Sequence, residues 1–329
     1  MNRKIKIGIT YDLRDDYLKM GFGEEETAEF DHIGTINAID EELCRQGFIT
    51  DRVGHVKNLC QRLVAGERWD IVFNICEGLY GSGREAQVPA VLDAYRIPYV
   101  FSGPLVLALT LDKAWTKLVV KASDVPTADH IIIFNENEIQ NIHSPFPLFA
   151  KPLSEGTGKG IDSRSVINNR EELQAICRHL LKQFRQPVIV ESYLPGREFT
   201  IGIVGTGYDA HCVGVMEIVL KENAEKEVYS YLNKEECEER VLYIRAEGPV
   251  VAECERLALK SWIAIRGEDA GRVDFRLDRN GVPNFLEVNP LAGLHPLHSD
   301  LPILASLHGI SYQELMTMIM QSALKKINT

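Results

Sequence analysis

Apolar and polar positions in the first hundred residues alternate between two periods. They predict strands over residues 4–10, 69–74 and 97–101, and helices over 34–46, 56–65 and 87–95. This order implies a parallel sheet with helices on its faces and ligands at the carboxyl ends of its strands. Those ends carry Tyr11 and Asp12, residues 74–78, and Ser102-Gly103-Pro104. No GxGxxG follows the first strand, so a dehydrogenase with a dinucleotide lobe lacks its glycine fingerprint.

Further on, the pattern predicts a helix over 112–122, a strand over 148–151, a glycine loop, a helix over 171–184 and a strand over 188–191. Longer strands follow over 199–204 and 211–219, then a hairpin of 272–277 with 284–289. Helices over 250–265 and 312–327 complete the pattern. At 329 residues the chain exceeds one hydrophobic core. The shifts in pattern divide it into units 1–104, 105–191 and 192–329.

The hairpin holds the densest polar pattern. Residues 278–283, Asp-Arg-Asn-Gly-Val-Pro, are turn chemistry. With a four-residue loop, Asp274 stands opposite Glu287 and Arg272 opposite Asn289, all on one face. Two carboxylates about 5 Å apart across a ladder repel unless a cation sits between them. An oxygen set of Asp274, Glu287 and Asn289 suits Mg²⁺, with Mn²⁺ as its close substitute, and Mg²⁺ completes its shell with substrate phosphates. An exposed hairpin with solvated carboxylates carries the same letters, so the choice falls to the remaining motifs.

Composition narrows the classes. A net charge of −11 argues against nucleic acid as the main partner. Seven cysteines without CxxC spacing read as free thiols in a reducing compartment. No apolar run nears 18 residues, and the expectation is a cytoplasmic protein without signal peptide or membrane span.

Residues 147–152, Pro-Leu-Phe-Ala-Lys-Pro, form an apolar strand that delivers Lys151, followed by Leu-Ser-Glu-Gly-Thr-Gly-Lys-Gly. Glycines at alternate positions let backbone N–H groups converge on an anion, and Thr157 adds a hydroxyl. Leu153 and Gly160 stand where a Walker A loop needs Gly and Ser or Thr, so a plain hairpin loop is the alternative. Residues 188–200 place Glu191 and Glu198 on either side of a turn beside Tyr193 and Leu194. Such a segment can wrap a nucleoside, with Glu191 at a base edge and Glu198 at ribose hydroxyls, although glutamates beside a turn also occur on plain surfaces.

Taken in order, these motifs are Lys113 in a helix, Lys151 and its glycine loop, Glu191-x-x-Leu194-x-Gly196-x-Glu198, Arg272-x-Asp274 and Glu287-x-Asn289. Their sequence resembles the ATP-grasp enzymes, closest to the D-alanine–D-alanine ligase family, over nearly the whole chain. The resemblance implies an α/β ATP-grasp fold of three lobes: a parallel α/β lobe, a central α+β lobe and a mostly antiparallel α+β lobe. It implies a carboxylate–amine ligase in which ATP phosphorylates an amino-acid carboxylate and an amine then displaces the phosphate. By position, Lys113, Lys151 and Thr157 would hold ATP phosphates, and Glu191, Tyr193, Leu194 and Glu198 the adenosine. Asp274, Glu287 and Asn289 would hold two Mg²⁺, and Arg272 would stabilise the acyl phosphate and the oxyanion. Lys234, in Tyr-Ser-Tyr-Leu-Asn-Lys at 229–234, would reach the γ-phosphate from a mobile loop. Small amino-acid and amine substrates, a homodimer and a role in peptidoglycan synthesis follow from the same resemblance.

Departures cluster at the substrate end. The family's Thr-Ser-Pro-Gly-Met-Thr is replaced by Pro-Leu-Ala-Gly-Leu-His-Pro-Leu-His-Ser at 290–299, one residue longer. Gly293 and Ser299 remain candidates for the acceptor carboxylate, and His295 and His298 alter that pocket without a third soft ligand for a metal. Lys159 replaces a small apolar residue, Glu235 a tyrosine, and residues 76–85 the usual His-Gly-x-x-Gly-Glu-Asp-Gly. Glu29 and Asp31 are loose counterparts of the glutamate that grips the donor ammonium. The substrate is therefore open: one rival is a ligase adding an amino acid to a larger metabolite or peptide. Another, from a different class, is an ATP-binding sensor without turnover.

Overall fold

A computed structural model of the chain describes residues 3–225 and 228–327. The alternation in the first hundred residues folds as a parallel sheet of β1 (Lys6–Tyr11), β2 (Ile49–Arg52), β3 (Ile71–Ile75) and β4 (Tyr99–Val100). Its order is β2-β1-β3-β4. β2, with the sequence Ile-Thr-Asp-Arg, has no apolar run for periodicity to detect, and it lies at the edge with no buried side chain.

A second sheet, antiparallel, holds β5 (His130–Ile133), β6 (Leu148–Pro152), β7 (Val166–Ile167) and β8 (Val188–Ser192) in the order β5-β8-β6-β7. One face carries Leu148, Ala150, Val188 and Val190, which pack on Leu173, Cys177 and Leu180 of the helix Arg170–Phe184.

The third sheet contains β9 (Glu198–Val204), β10 (His211–Leu220), β11 (Val241–Arg245), β12 (Ala270–Leu277) and β13 (Pro283–Asn289), ordered β11-β10-β9-β12-β13 and antiparallel. Phe199, Val273, Phe275 and Phe285 meet Trp262 of the helix Val250–Ile265 and Val120 of the helix Lys113–Lys121.

The first and third sheets are not independent. Ile7, Ile36 and Phe73 share one core with Val213 and with Leu301, Leu315 and Ile319 of the closing helices Asp300–Leu307 and Tyr312–Ala323. Buried Asp269 ties the same parts together by accepting from Phe101 N, Ser322 Oγ and Lys326 Nζ, each at 2.8 Å. Among the described residues, no helix is long and apolar enough to cross a membrane. All seven cysteines are free.

The hairpin register is the expected one, reached by a different route. Leu277 pairs with Pro283 across a five-residue loop, and a bulge between the pairs Phe275–Phe285 and Asp274–Glu287 takes up the extra residue at Leu286. Asp278 Oδ1 lengthens the loop by accepting from Asn280 N and Val282 N at 2.8 and 2.9 Å.

Candidate active site

β6 and β8 turn alternate side chains away from their core, and Phe149, Lys151 and Glu191 stand on the opposite face. Lys151 Nζ lies 3.4 Å from Glu191 Oε2. The neighbouring helix starts where Asp112 caps it by accepting from Ala114 N and Trp115 N. Lys113 and Lys117, one turn apart, then face the same side. Lys117, with no exposed surface, lies 3.0 Å from Glu191 Oε1 and donates to Phe285 O at 3.0 Å and Thr127 Oγ1 at 3.1 Å. Burial alone would raise the Glu191 carboxyl, but Lys117 and Lys151 hold it down to about 2.

After β8 the chain turns hard against the hairpin. Gly196 N donates to Leu277 O at 2.9 Å, and a Cβ on Gly196 would stand 2.7 Å from that oxygen. The turn sets the Tyr193 ring over Phe149 with centroids 6.5 Å apart, and the Arg276 guanidinium 5.3 Å above Tyr193 and 3.5 Å from Glu198 Oε2. With Leu194 these groups line a small cavity of mixed polar and apolar walls that also includes Lys151 and Glu191.

β12 presents Arg272, Asp274 and Arg276 to the site while Val273 and Phe275 enter the core. On β13 the bulge lets Phe285 enter the core and still brings both Leu286 and Glu287 to the cavity. Asn289 Nδ2 and Arg272 Nη1 each lie 3.4 Å from Asp274 Oδ2. Asp274 Oδ1 is buried without a hydrogen-bond partner. Burial raises the Asp274 carboxyl to about 7 against the pull of Arg272, with Glu287 and Asp300 adding to the rise. Glu287 goes the other way: burial opposes its charge, but Lys113, Lys151 and Lys234 drive it below the usual range. An orphaned carboxylate oxygen, a facing carboxylate and an amide oxygen form a donor set that fits a hard divalent cation. Among the described residues no three His, Cys, Asp or Glu side chains converge as a metal centre, so the third protein oxygen here is the amide of Asn289.

A larger cavity of about 600 Å³ adjoins the small one, bounded in part by Lys113, Thr157, Asn289, Gly293, His295 and Ser299. Tyr229, Lys234, Arg272 and Glu287 line both cavities. Lys234 Nζ sits 4.6 Å from the Tyr229 ring centroid. Lys113 Nζ donates to Glu155 O at 2.6 Å and lies 3.6 Å from Glu287 Oε2. Thr157 takes a left-handed φ of 49° and buries a hydroxyl that has no partner.

Glu29, expected to meet a substrate ammonium, lines the larger cavity but is paired with cations of the chain. Arg84 Nη2 lies at 2.8 Å, Lys159 Nζ at 3.4 Å, and Gly156 N donates at 2.6 Å. Burial opposes its charge, yet Arg84 and Lys159 lower its pKa, so Glu29 fastens the glycine loop and is no free anion. Lys159, the departure within that loop, is the residue that makes this contact and a second at 2.6 Å to Glu155. Ser299 Oγ accepts from His295 N at 2.9 Å, and Gly293 packs so closely that a Cβ would stand 2.8 Å from that oxygen.

Burial raises Asp31 and Glu85, both on the wall of the larger cavity, to about 7. Both values exceed the unfolded value of roughly 4, so between about pH 4 and 7 the folded chain binds more protons than the unfolded one. The stability these groups add is complete below about pH 4 and lost as pH rises through about 7. Thermal unfolding of Glu85→Gln is expected to show a flatter fall of Tm from about pH 5 to 8 than the parent. Parallel profiles would assign Glu85 an ordinary pKa.

The sequence reading missed Lys117, Arg84, Arg276 and Asp300. Lys117 has a signal, its spacing of four from Lys113, and Arg276 has one, its place two residues beyond Asp274 on the same strand face; Arg84 and Asp300 have none before the chain is folded.

Comparisons with known proteins show similarity in sequence and in fold. A family model described as "D-ala D-ala ligase C-terminus" matches residues 119–321. The D-alanine–D-alanine ligase of Bordetella petrii is 31% identical over 277 residues, covering 83% of this chain and 81% of the relative. Among solved structures, the D-alanine–D-alanine ligase of Bacillus anthracis complexed with ATP aligns with TM-score 0.74 at 22% identity, over 98% of this chain and 99% of the other. The VanG D-Ala:D-Ser ligase of Enterococcus faecalis aligns with TM-score 0.75 at 19% identity, over 98% and 100%.

Proposed function

Since the chain belongs to the D-alanine–D-alanine ligase family and is an ATP-dependent ligase that forms carbon–nitrogen bonds, we propose that its small cavity takes ATP and its larger one the acid and the amine. The observation that carries this reading is the shared wall of Tyr229, Lys234, Arg272 and Glu287, where a γ-phosphate from one side meets a carboxylate from the other.

In this reading Lys151 and Lys113 offset the charge of the phosphates, and Thr157 with the glycine-loop N–H groups donates to them. Tyr193 and Leu194 pack the base, Glu191 meets its edge and Glu198 accepts from the ribose. Asp274, Glu287 and Asn289 would hold two Mg²⁺, which supply charge neutralisation on the transferred phosphoryl group when bound. Arg272 and Lys234 face the oxygens on which charge gathers as the amino-acid carboxylate becomes an acyl phosphate and the amine attacks it.

D-alanyl–D-alanine formation, the activity in the relatives' names, is the first reaction to test. The 600 Å³ volume favours a second reading, a substrate larger than alanine. Phosphate release is measured with MgATP over pairs of D- and L-amino acids, and then with larger amines or peptides. Release with free amino acids supports a dipeptide ligase, and release only with the larger molecules a tailoring ligase. Tight ATP binding with no release from any mixture would leave a sensor. Lys151→Ala is expected to weaken ATP binding by about tenfold or more, read by calorimetric titration. Unchanged affinity would remove Lys151 from the phosphate site.

A further inference from the structure

Arg272 stands with Lys234 where the two cavities meet, and a carboxylate of the chain already sits on it. Asp300 pairs with its Nη1, which also lies 3.4 Å from Asp274. Asp300 opens the helix Asp300–Leu307 and lines the larger cavity. Among the described residues, Arg272 is the lysine or arginine within ion-pair distance of it. Ser299 beside it commits its Oγ to His295 N–H.

Resting on the ligase reading, we propose that Asp300 determines the acceptor: it excludes amines that carry a carboxylate on the adjoining carbon and selects amines without one, best those with a second ammonium group. The attacking nitrogen must reach the acyl carbon that Arg272 faces. A carboxylate on the next carbon then lands beside the same guanidinium, where Asp300 already stands, and like charges in a buried setting exclude such a partner. A second ammonium meets Asp300 favourably, and the cavity has the volume to receive a chain longer than alanine. In the step itself, the neutral amine nitrogen gives its lone pair to the acyl carbon. The C–N bond forms, the C–O bond to phosphate breaks with its electron pair leaving on phosphate, and one N–H proton passes to the departing phosphate.

Two measurements separate this inference from the reading beneath it. Hydroxylamine, which needs no acceptor recognition, traps an acyl phosphate as a hydroxamate and identifies the donor among D- and L-amino acids with MgATP. With that donor, acceptors are compared in pairs that differ only by the carboxylate: alanine with ethylamine, ornithine with 1,4-diaminobutane, lysine with 1,5-diaminopentane. The expected result is a kcat/KM at least about tenfold higher for each diamine than for its amino acid. Asp300→Asn, and Asp300→Ser as a second variant, are expected to narrow that ratio about tenfold, with hydroxamate formation as the internal reference. A parent enzyme that prefers the amino acids, or a ratio unmoved in both variants, overturns the proposal. Absence of hydroxamate with every donor overturns the ligase reading, and the proposal falls with it.

Discussion

Glu287→Gln is expected to lower MgATP-dependent phosphate release by about 10³-fold or more, the scale on which losing one preorganised charge-stabilising group slows such reactions. The substitution keeps shape and removes one charge. That charge stands 3.6 Å from Lys113 Nζ and directly across the ladder from Asp274, at the wall both cavities share. Without it, the carboxylate pair that would seat the cations is reduced to Asp274, and the lysines that now face Glu287 lose a counter-charge. Steady-state rates across a Mg²⁺ and Mn²⁺ series, with circular dichroism to confirm the fold, make the measurement. Activity within about tenfold of the parent, at unchanged metal dependence, would refute the assignment of Glu287 to cation binding.

The second large effect falls on stability. Lys117→Met is expected to destabilise the chain by about 3–5 kcal/mol, the cost of removing one partner from a buried ion pair. Lys117 contacts Glu191, Phe285 O and Thr127 Oγ1 at 3.0 to 3.1 Å with no exposed surface. Its loss leaves Glu191 with Lys151 alone and orphans a backbone carbonyl of the core. Denaturant unfolding of Lys117→Met, Glu191→Gln and the double variant separates the pair from its parts. Strictly additive losses would show that the two side chains do not depend on each other.

The hairpin was legible because cross-strand pairing and two-residue alternation are local rules. Arg272, Asp274, Glu287 and Asn289 needed only a turn between two strands. The loop length was misjudged by one, since Asp278 binds two N–H groups ahead of it, and the bulge at Leu286 cancelled the difference. The glycine loop was legible from its spacing, and its left-handed residues at 157, 158 and 160 bear that out. Glu29 was not: its partners Arg84 and Lys159 lie 55 and 130 positions away, and only the packed lobes bring them to it. Asp300 is hidden for the same reason, because nothing near it in sequence announces Arg272. Contacts set by the tertiary fold, and the charges they satisfy, decide which carboxylates remain available to a substrate.

The shared core between the first sheet and the closing helices has a mechanical consequence. Two walls of the cleft are welded into one frame, so neither swings without tearing apolar packing. The sheet of β5 to β8 has its own core and meets the frame through a small apolar patch of Ala114, Leu153 and Ile189 and through polar contacts. It is the jaw of the clamp, and Lys151, Glu191 and the glycine loop ride on it. A pivot of residues 130–192 against that frame therefore disturbs the least apolar packing.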